Sequence, residues 1–430
     1  MQAGDTIVAL SSGGLPSGVA VIRLSGPAVE AVLGDMLGSL PAPRKLALAP
    51  IAFDGLVLDQ GLIAYFPAPK SFTGESCAEL HLHGSRAVVR AVLRRLAGRA
   101  GLRLAEAGEF TRRAFENGRL DLTEVEGLGD LILAETESQR AQALARMAGG
   151  LSAKLNAWRE TMLDLRAEIE AQLDFSDEGD VGALPDSFEA QLSALRSDIA
   201  AALEGAERGR LVREGFRIAL AGPPNAGKSS LLNALSRSDV AIVTDEAGTT
   251  RDVREVAMDV AGQLVVLLDM AGLRDTDSVA EAEGVRRARQ EIAHADLVLW
   301  LVAPDVEDIA APDTEAPVWR IGTKADVGPG GGGLAVSSRT GQGIDELLAR
   351  LSAFVADRAS GEPGLVSRER DRAALGEALA ALRDAGDGGL GHELRAEALR
   401  RASQALERLL GRMDTEHVLD RLFASFCIGK

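Results

Sequence analysis

Residues 216–235 read FRIALAGPPNAGKSSLLNAL. The apolar run at 216–220 predicts a buried strand, and residues 228–235 predict a helix. The loop between them fits the G-x-x-x-x-G-K-[ST] pattern, in which backbone N–H groups and a helix N-terminus bind nucleotide phosphates. In such a loop Lys228 reaches the outer phosphates and the Ser229 hydroxyl ligates magnesium. The nucleotide-binding residues predicted from this stretch are Asn225, Ala226, Gly227, Lys228, Ser229 and Ser230.

Two segments downstream complete a predicted magnesium and phosphate site. The polar loop VTDEAGTTRD (243–252) carries threonine hydroxyls, and we expect that of Thr250 to complete the magnesium shell. The run EVAMDVAGQLVVLLD (255–269) predicts a hairpin that delivers Asp269 to a D-x-x-G sequence, where Asp269 holds magnesium through water and the Gly272 N–H senses the γ-phosphate. The residues predicted to border the nucleotide here are Thr244, Asp245, Glu246, Ala247, Gly248, Thr249, Thr250, Asp269, Met270, Ala271 and Gly272.

The sequence also predicts which base is bound. VWRIGTKAD (318–326) and LAVSSRTG (334–341) each end a strand at the carboxyl edge of a parallel sheet, where such folds bind ligands. The Asp326 carboxylate can accept hydrogen bonds from N1–H and the 2-amino group of guanine, and adenine offers neither. The nucleotide is therefore predicted to be GTP. The residues assigned to the base are Thr323, Lys324, Asp326, Ser337, Ser338 and Arg339.

Length and composition restrict the remaining possibilities. A chain of 430 residues is too long for one core, so two or three domains are expected. Two cysteines, Cys77 and Cys427, cannot form a disulfide framework, so the chain is expected to be reduced and cytoplasmic. No signal peptide or membrane-spanning run is apparent. A net charge of −17 argues against a general nucleic-acid coat, although a local basic patch for one RNA remains compatible with it.

The pattern along the chain predicts a GTPase module inserted into a helical domain. Short strand-like runs and one helix (85–99) make residues 1–118 α+β in character. Long runs with helical spacing follow from about residue 120, and again after a linker at 359–369. The predicted domains are residues 1–118, a first helical part at 119–212, a Ras-like GTPase domain at 213–360 and a second helical part at 361–430.

Two features outside the nucleotide motifs leave alternatives open. Cys77, Glu79, His81 and His83 alternate along one strand and are metal-ligand types. Because alternate strand residues lie about 6.5–7 Å apart, at most two would reach one ion, so a structural metal is the less favoured interpretation. Arginines 86, 90 and 94 form a stripe at i, i+4 spacing, which is interpreted as a solvated helix face in preference to a tRNA contact.

The nucleotide motifs resemble those of the Ras-like translation-factor GTPases, with Thr323 in place of the usual Asn of N-K-x-D. A Thr hydroxyl keeps one of the amide's hydrogen bonds, which predicts about 1 kcal/mol weaker nucleotide binding. The ends of the chain narrow the resemblance. DTIVALSSGGLPSGVAVIRLSG (5–26), SFTGESCAELHLHG (71–84), AGEFTRRAFENGRLDLTEVEGLGDLI (107–132) and RLFASFCIGK (421–430) look like the MnmE (TrmE) family of tRNA-modifying GTPases over essentially the whole chain.

The resemblance implies a reaction and its partners. With a flavin-dependent partner, MnmG, the family installs an aminomethyl or carboxymethylaminomethyl group on the 5-position of the wobble uridine of certain tRNAs. The carbon comes from 5,10-methylene-tetrahydrofolate, with 5-formyl-tetrahydrofolate as an analogue, and the nitrogen from glycine or ammonium. The family forms a homodimer through its N-terminal domain and a heterotetramer with MnmG. The resemblance places folate contacts on Arg23, Glu79, Arg119 and Lys430, with Cys427 close to the one-carbon site.

The resemblance also implies how GTP is cleaved. Ras-type enzymes place a Gln directly after D-x-x-G to orient water, and Leu273 stands there in this chain. The family uses potassium instead, with ligands that map to Asn225, Thr244, Glu246 and Thr249, in a site closed when two GTPase domains meet. The catalytic carboxylate maps to Glu281, with Glu283 as the alternative. A ribosome-assembly GTPase and a GTP-dependent scaffold without turnover are the other function classes considered.

Overall fold

In the computed structural model of the chain, the described residues fall into two compact units. These units consist of residues 1–129 with 407–430 and of residues 130–406. The described residues are 4–174, 184–242, 254–270, 290–307, 309–311, 313–329, 331, 333–361, 364–412, 422–423, 426 and 429. An α+β unit and a second unit that joins helices to a mainly parallel P-loop sheet confirm the predicted multidomain α/β fold class.

The first unit is built on one six-stranded sheet. Its strands are β1 (Thr6–Leu10), β2 (Ser17–Ser25), β3 (Ala47–Phe53), β4 (Leu56–Phe66), β5 (Cys77–Gly84) and β6 (Leu102–Leu104). Its helices are α1 (Val29–Leu37), α2 (Arg86–Ala97), α3 (Glu109–Glu116) and α4 (Leu122–Leu133), the last of which begins in this unit. The order is β3-β4-β5-β2-β1-β6, with β1 and β6 parallel and the other neighbours antiparallel.

Alternation along β5 separates a core face from a polar face. Leu80 and Leu82 are buried in the cluster that also takes the apolar positions of α1 and α2. Glu79 and His81 alternate with them and are therefore on the other face of the sheet, partly exposed. The α2 helix begins as predicted, because the Ser85 side chain accepts a hydrogen bond from the Ala87 N–H.

The second unit contains most of the helices and the P-loop sheet. Its strands are β7 (Phe216–Ala221), β8 (Arg254–Val260), β9 (Gln263–Asp269), β10 (Leu297–Val302), β11 (Val318–Gly322) and β12 (Leu334–Ala335). Its helices are α5 (Glu137–Met147), α6 (Gly150–Asp174), α7 (Asp186–Glu204), α8 (Ala206–Glu214), α9 (Lys228–Leu235), α10 (Ile344–Ala359), α11 (Glu369–Ala385) and α12 (His392–Leu409).

The P-loop sheet has the order β12-β11-β10-β7-β9-β8, and β8 pairs antiparallel with β9 while the other neighbours are parallel. Parallel strands covered on both faces carry nearly continuous apolar runs. β7 and β10 are such strands, since almost every residue in both is buried. The predicted strand at 216–220, helix at 228–235 and hairpin at 255–269 are confirmed. The carboxyl ends of β7, β9, β10 and β11 meet at one edge.

Helix α5 holds the chain segments that enter and leave this sheet. Gln142 Nε2 donates to the Gly209 carbonyl at 3.0 Å and to the Gly364 carbonyl at 2.8 Å. One turn further along, Arg146 Nη1 lies 2.9 Å from Asp371 Oδ2, and both side chains are fully buried. Removing either member of such a pair leaves a buried charge uncompensated. These contacts therefore hold the two chain segments, one before β7 and one after α10, against α5.

Candidate functional site

The phosphate loop has the backbone that its sequence predicts. Gly222 has φ +145°, and a Cβ placed there would lie 2.5 Å from the Leu301 carbonyl oxygen, so only glycine fits against β10. Asn225 adopts the left-handed conformation at φ +61° and is exposed. Helix α9 then begins at Lys228 directly after Gly227, so its N-terminal N–H groups face the loop. This is the arrangement in which a helix end binds an anionic phosphate.

Two side chains of the loop are held by partners at the same strand edge. Lys228 Nζ is buried and donates to the carbonyls of Gly222 and Pro223, both at 2.8 Å. The Ser229 hydroxyl donates to Asp269 Oδ2 at 2.7 Å. A hydroxyl beside a carboxylate at the end of β9 is the oxygen pair predicted to hold magnesium directly and through water.

The base-binding end is equally ordered. Thr323 is buried, and its hydroxyl donates to the Ala226 carbonyl at 2.5 Å, so the base motif is tied to the phosphate loop. Asp326 Oδ1 accepts from the Ser337 hydroxyl at 2.7 Å. That hydrogen bond, together with the nearby Arg339 guanidinium, lowers the pKa of the Asp326 carboxyl, so it is an anionic acceptor at neutral pH.

Thr323 and Asp326 border a cleft of about 790 Å³, which reaches the phosphate loop at Gly227, while Lys228, Ser229 and Asp269 are not part of its lining. Its lining brings together the loop, α9, the predicted base motif and the start of α10. Residues that the sequence analysis missed also face it, among them Asn233 and Arg237. Both follow Ser230 at helical spacing, i+3 and i+7, so the helical period of α9 was the signal that would have found them. The complete lining is Gly227, Ser230, Asn233, Ala234, Arg237, Thr323, Lys324, Asp326, Val327, Ser338, Arg339, Gly341, Ile344 and Asp345.

Several predicted residues lie outside the described part of the chain. They belong to the segment after α9, to the segment after β9 and to the C-terminal motif. They are Thr244, Asp245, Glu246, Ala247, Gly248, Thr249, Thr250, Ala271, Gly272, Leu273, Glu281, Glu283, Cys427 and Lys430.

In the first unit, the structure brings Arg23 and Glu79 together on the polar face of the sheet. The two residues are directly opposite each other on β2 and β5. Arg23 Nη2 and Nε donate to Glu79 Oε1 at 2.9 and 3.1 Å, and His81 Nε2 lies 3.3 Å from Glu79 Oε2. The Arg23 guanidinium is 5.5 Å from the Phe72 ring centroid and 5.8 Å from that of Phe110. Each member of the ion pair is 22% exposed, so the pair is sheltered but open to a ligand.

Two further segments approach this face. The Arg119 stem packs beside Gly74, where a Cβ would lie 3.3 Å from it, and Gly74 follows closely on Phe72. The C-terminal segment reaches β1, since the Ser11 hydroxyl donates to the Gly429 carbonyl at 2.7 Å. Because Ala9 of β1 is paired with Arg23, Gly429 lies near the same end of the sheet. Of the described folate candidates, the structure therefore brings Arg23 and Glu79 into direct contact, while Arg119 lies beside Gly74.

Of the alternating metal-ligand types on β5, His81 and Glu79 approach each other, whereas Cys77 and His83 have other partners. The buried Cys77 thiol lies 3.2 Å from the Thr73 hydroxyl, while His83 Nδ1 lies 2.7 Å from Asp59 Oδ1. No group of three or more metal-ligand side chains occurs among the described residues. The less favoured metal interpretation therefore has no support in this strand. None of the helices in the described part of the chain combines the length and apolar character that crossing a bilayer requires.

Comparison with known proteins identifies the family. The family described as "MnmE helical domain" matches residues 122–427, and "GTP-binding protein TrmE N-terminus" matches residues 6–119. A protein of Azorhizobium caulinodans named "tRNA modification GTPase MnmE" is 50% identical over 441 positions, covering 100% of both chains. One of the same name from Methylorubrum populi is 51% identical, covering 99% of this chain and 98% of the relative. With two family models and full-length relatives at about half identity, the chain belongs to the MnmE (TrmE) family and is a GTPase.

Proposed function

We propose that this GTPase modifies the 5-position of the wobble uridine in certain tRNAs, together with a flavin-dependent MnmG partner. The group installed is aminomethyl or carboxymethylaminomethyl, and the protein works as a homodimer within a heterotetramer. The observation that carries the proposal is the match at about half identity along the full length of relatives named for tRNA modification. The proposed domain boundaries remain 1–118, 119–212, 213–360 and 361–430.

The nucleotide roles are proposed for the phosphate loop, the end of β9 and the base motif. GTP phosphates bind the loop from Asn225 to Ser230, with Lys228 exchanging its carbonyl partners for phosphate oxygens. Magnesium binds Ser229 and Thr250, with Asp269 in its outer shell. Asp326 accepts from the guanine edge while Ser337 holds it in place. The 2.7 Å contact between Ser229 and Asp269 supports the magnesium assignment, because both oxygens already converge on one point.

The folate roles fall on the polar face of the first unit. Glu79 binds the donor edge of the pterin ring, Phe72 borders that ring, and Arg23 and Arg119 carry the positive charge that an anionic folate needs. Lys430 and Cys427 join the site from the C-terminus, with Cys427 next to the one-carbon group. The residues present fit this ligand, since a sheltered carboxylate, an exposed aromatic ring and two arginines suit a flat ring with a donor edge and an anionic tail. When bound, the folate supplies the carbon that is transferred.

GTP hydrolysis is potassium-dependent in this proposal. Asn225 presents an exposed side chain in a left-handed loop, which suits an oxygen ligand for a hard monovalent cation. Thr244, Glu246 and Thr249 complete the site when two GTPase domains meet. Glu281 orients the attacking water, or Glu283 does so in its place. Hydrolysis is expected to be at least tenfold faster in potassium than in sodium at equal ionic strength, and Asn225→Ala to remove the difference.

Equal turnover in the two salts would exclude potassium from the mechanism. Glu281→Ala is expected to lower turnover at least tenfold with GTP affinity nearly unchanged. Glu283→Ala is its matched comparison, since it removes a carboxylate two residues away. If Glu283→Ala is the inactive variant, the catalytic role belongs to Glu283.

The experiment that tests the whole proposal is mass spectrometry of wobble uridines in tRNA from cells that lack this protein. The modified uridines are expected to disappear and to return on complementation with the wild-type chain. Unchanged uridines would refute the proposal. A ribosome-assembly GTPase would instead leave them intact and would not bind 5-formyl-tetrahydrofolate. A scaffold would bind GTP without turnover, which a hydrolysis assay detects.

A further inference from the structure

Helix α2 forms one wall of a groove that the nucleotide and folate sites do not use. Its volume is about 460 Å³. We call it the arginine groove, because Arg86, Arg90 and Arg94 stand along it over an apolar floor. The floor consists of Leu10, Leu15, Val89, Leu93, Ala97 and Leu104. Leu104 is 55% exposed, so this apolar surface is open to a partner.

The charge of the arginine groove is not neutralised from within the described chain. Arg86 donates to the Leu15 carbonyl at 3.0 and 3.2 Å. This contact positions its guanidinium but does not neutralise its positive charge. The described residues contain no salt bridge from Arg90 or Arg94, both of which are exposed. On the neighbouring face of the same segment, by contrast, Arg95 pairs with Asp54 at 3.1 Å.

That contrast is informative because carboxylates are in excess. The chain has 64 Asp and Glu residues against 47 Lys and Arg, with a net charge of −17. Three arginines on one helix face, without a carboxylate partner in the described part of the chain, therefore form a positively charged patch on an acidic protein. Such a patch attracts an anionic partner. The i, i+4 positions of the three arginines place successive guanidiniums about 6 Å apart along the helix, comparable with the spacing of successive phosphates in an RNA strand.

The apolar floor agrees with RNA as the occupant. In proteins that bind single-stranded RNA, phosphates meet basic side chains while bases lie on apolar or guanidinium surfaces. The floor is linked through the chain to Gly429 of the C-terminal motif. Leu10 lines the groove, and the hydroxyl of its neighbour Ser11 donates to the Gly429 carbonyl.

We propose that the arginine groove is a docking surface for the tRNA substrate, with Arg86, Arg90 and Arg94 contacting its phosphates. The inference rests on the proposed function, and it changes the initial interpretation of these arginines as a solvated helix face. It does not require the three residues to take part in chemistry. They position the RNA, and the reacting groups lie elsewhere.

The test is the salt dependence of tRNA binding by the full-length chain. Wild type and the variant Arg86→Gln/Arg90→Gln/Arg94→Gln are titrated with labelled tRNA by fluorescence anisotropy between 50 and 300 mM KCl. Each lost phosphate contact is expected to reduce the slope of log affinity against log salt by roughly 0.7–0.9, so the triple variant loses about 2–3 in slope. Its affinity at 100 mM is expected to fall at least tenfold. GTP hydrolysis by the variant is expected to match wild type, which shows that it is folded.

The matched control is Arg95→Gln/Arg99→Gln, which removes arginines of the same segment that are paired with Asp54 and Asp35. The slope of log affinity against log salt for this control is expected to differ from that of wild type by less than the contribution of one phosphate contact. The inference is refuted if the triple variant binds tRNA with wild-type affinity and slope, if wild type shows no binding, or if the triple variant instead changes the oligomeric state. Wobble-uridine analysis in deletion cells is a separate measurement, so modification can be confirmed even where this docking surface is refuted.

Discussion

The nucleotide cleft and the polar face of the N-terminal sheet hold their binding side chains in different ways. In the cleft, the polar groups follow the ends of parallel strands and are held by backbone carbonyls and hydroxyls, as Lys228 is by two carbonyls and Asp326 by Ser337. On the sheet face, Arg23 and Glu79 stand within neighbouring strands and neutralise each other. In the proposed function, a ligand therefore replaces neutral partners in the first site and competes with an opposite charge in the second.

This difference predicts how each site responds to substitution. Removing the Asp326 carboxylate is expected to change what is bound and to leave the scaffold intact, because its hydrogen-bond partner Ser337 is neutral and Arg339 is mostly exposed. Removing one member of the sheet-face pair also leaves an opposite charge without its partner.

The largest effect is expected for Asp326→Asn. The amide N–H₂ pairs with the 2-oxo group of xanthine but meets another donor on guanine, so preference is expected to pass from GTP to XTP. The ratio of the two affinities is expected to change by roughly 10³–10⁵, since a donor and an acceptor are exchanged in one recognition contact. Competition binding of GTP and XTP measures it.

The matched control is Asp345→Asn, a second carboxylate that lines the same cleft at the start of α10. It is expected to retain the wild-type preference. If Asp326→Asn prefers GTP by the original margin, then Asp326 does not read the base and the cleft is not the site where guanine is selected.

The second-largest effect is expected for Glu79 on the polar face of the N-terminal sheet. Glu79→Ala is expected to weaken binding of 5-formyl-tetrahydrofolate by about 2–3 kcal/mol, the cost of losing a charged hydrogen-bond partner. That cost corresponds to roughly 30–150-fold in affinity. Isothermal titration calorimetry on the full-length protein gives the value directly.

Asp59→Asn serves as the comparison for Glu79→Ala, since Asp59 is an acid on the adjacent strand β4 and is paired with His83. We expect it to bind the folate like wild type. Equal affinity for wild type and Glu79→Ala would remove Glu79 from the site, and the pairing with Arg23 would then be structural alone.

The contrast also explains what the sequence could predict. A strand-end site depends on a loop whose residues are contiguous, so GPPNAGKSS alone predicted β7, α9 and the roles of Lys228 and Ser229. Arg23 and Glu79 are 56 positions apart and meet only through strand register, so no local pattern joins them. They were found through the family resemblance. No sequence pattern indicated that Phe72 and Phe110 flank Arg23, because their contacts with Arg23 depend entirely on tertiary packing.

A third, smaller effect is expected where the two halves of the nucleotide cleft are joined. Thr323→Val keeps the shape of the buried side chain but removes its bond to the Ala226 carbonyl. Loss of one neutral hydrogen bond with an acceptor left buried costs about 1–2 kcal/mol. We expect GTP affinity to fall by that amount, with selectivity against ATP retained because Asp326 is untouched. Thr323→Ser keeps the hydroxyl and is the control, while weakened binding by both variants would mean that the methyl group, and not the bond, holds the loop.

The smallest effect is expected for Asp305→Asn, beside the base motif. Asp305 and Lys324 form a pair at 2.6 Å, but Asp305 is half exposed at 52% and the Lys324 backbone is already fixed in the left-handed region at φ +54°. Exposed pairs gain little, because water and salt screen them. GTP affinity is therefore expected to change less than about threefold, and the difference from wild type to vanish by 0.5 M KCl.

The hydrogen bond from Lys324 lowers the pKa of the Asp305 carboxyl, so the pair is present at and above the ordinary pKa of an aspartate and is lost only as pH falls below it. Affinity measured at pH 6 and at pH 8 should accordingly show the same small difference. A loss of tenfold or more would mean that Asp305 positions Lys324 for the base, and that the cleft depends on an ion pair as the sheet face does.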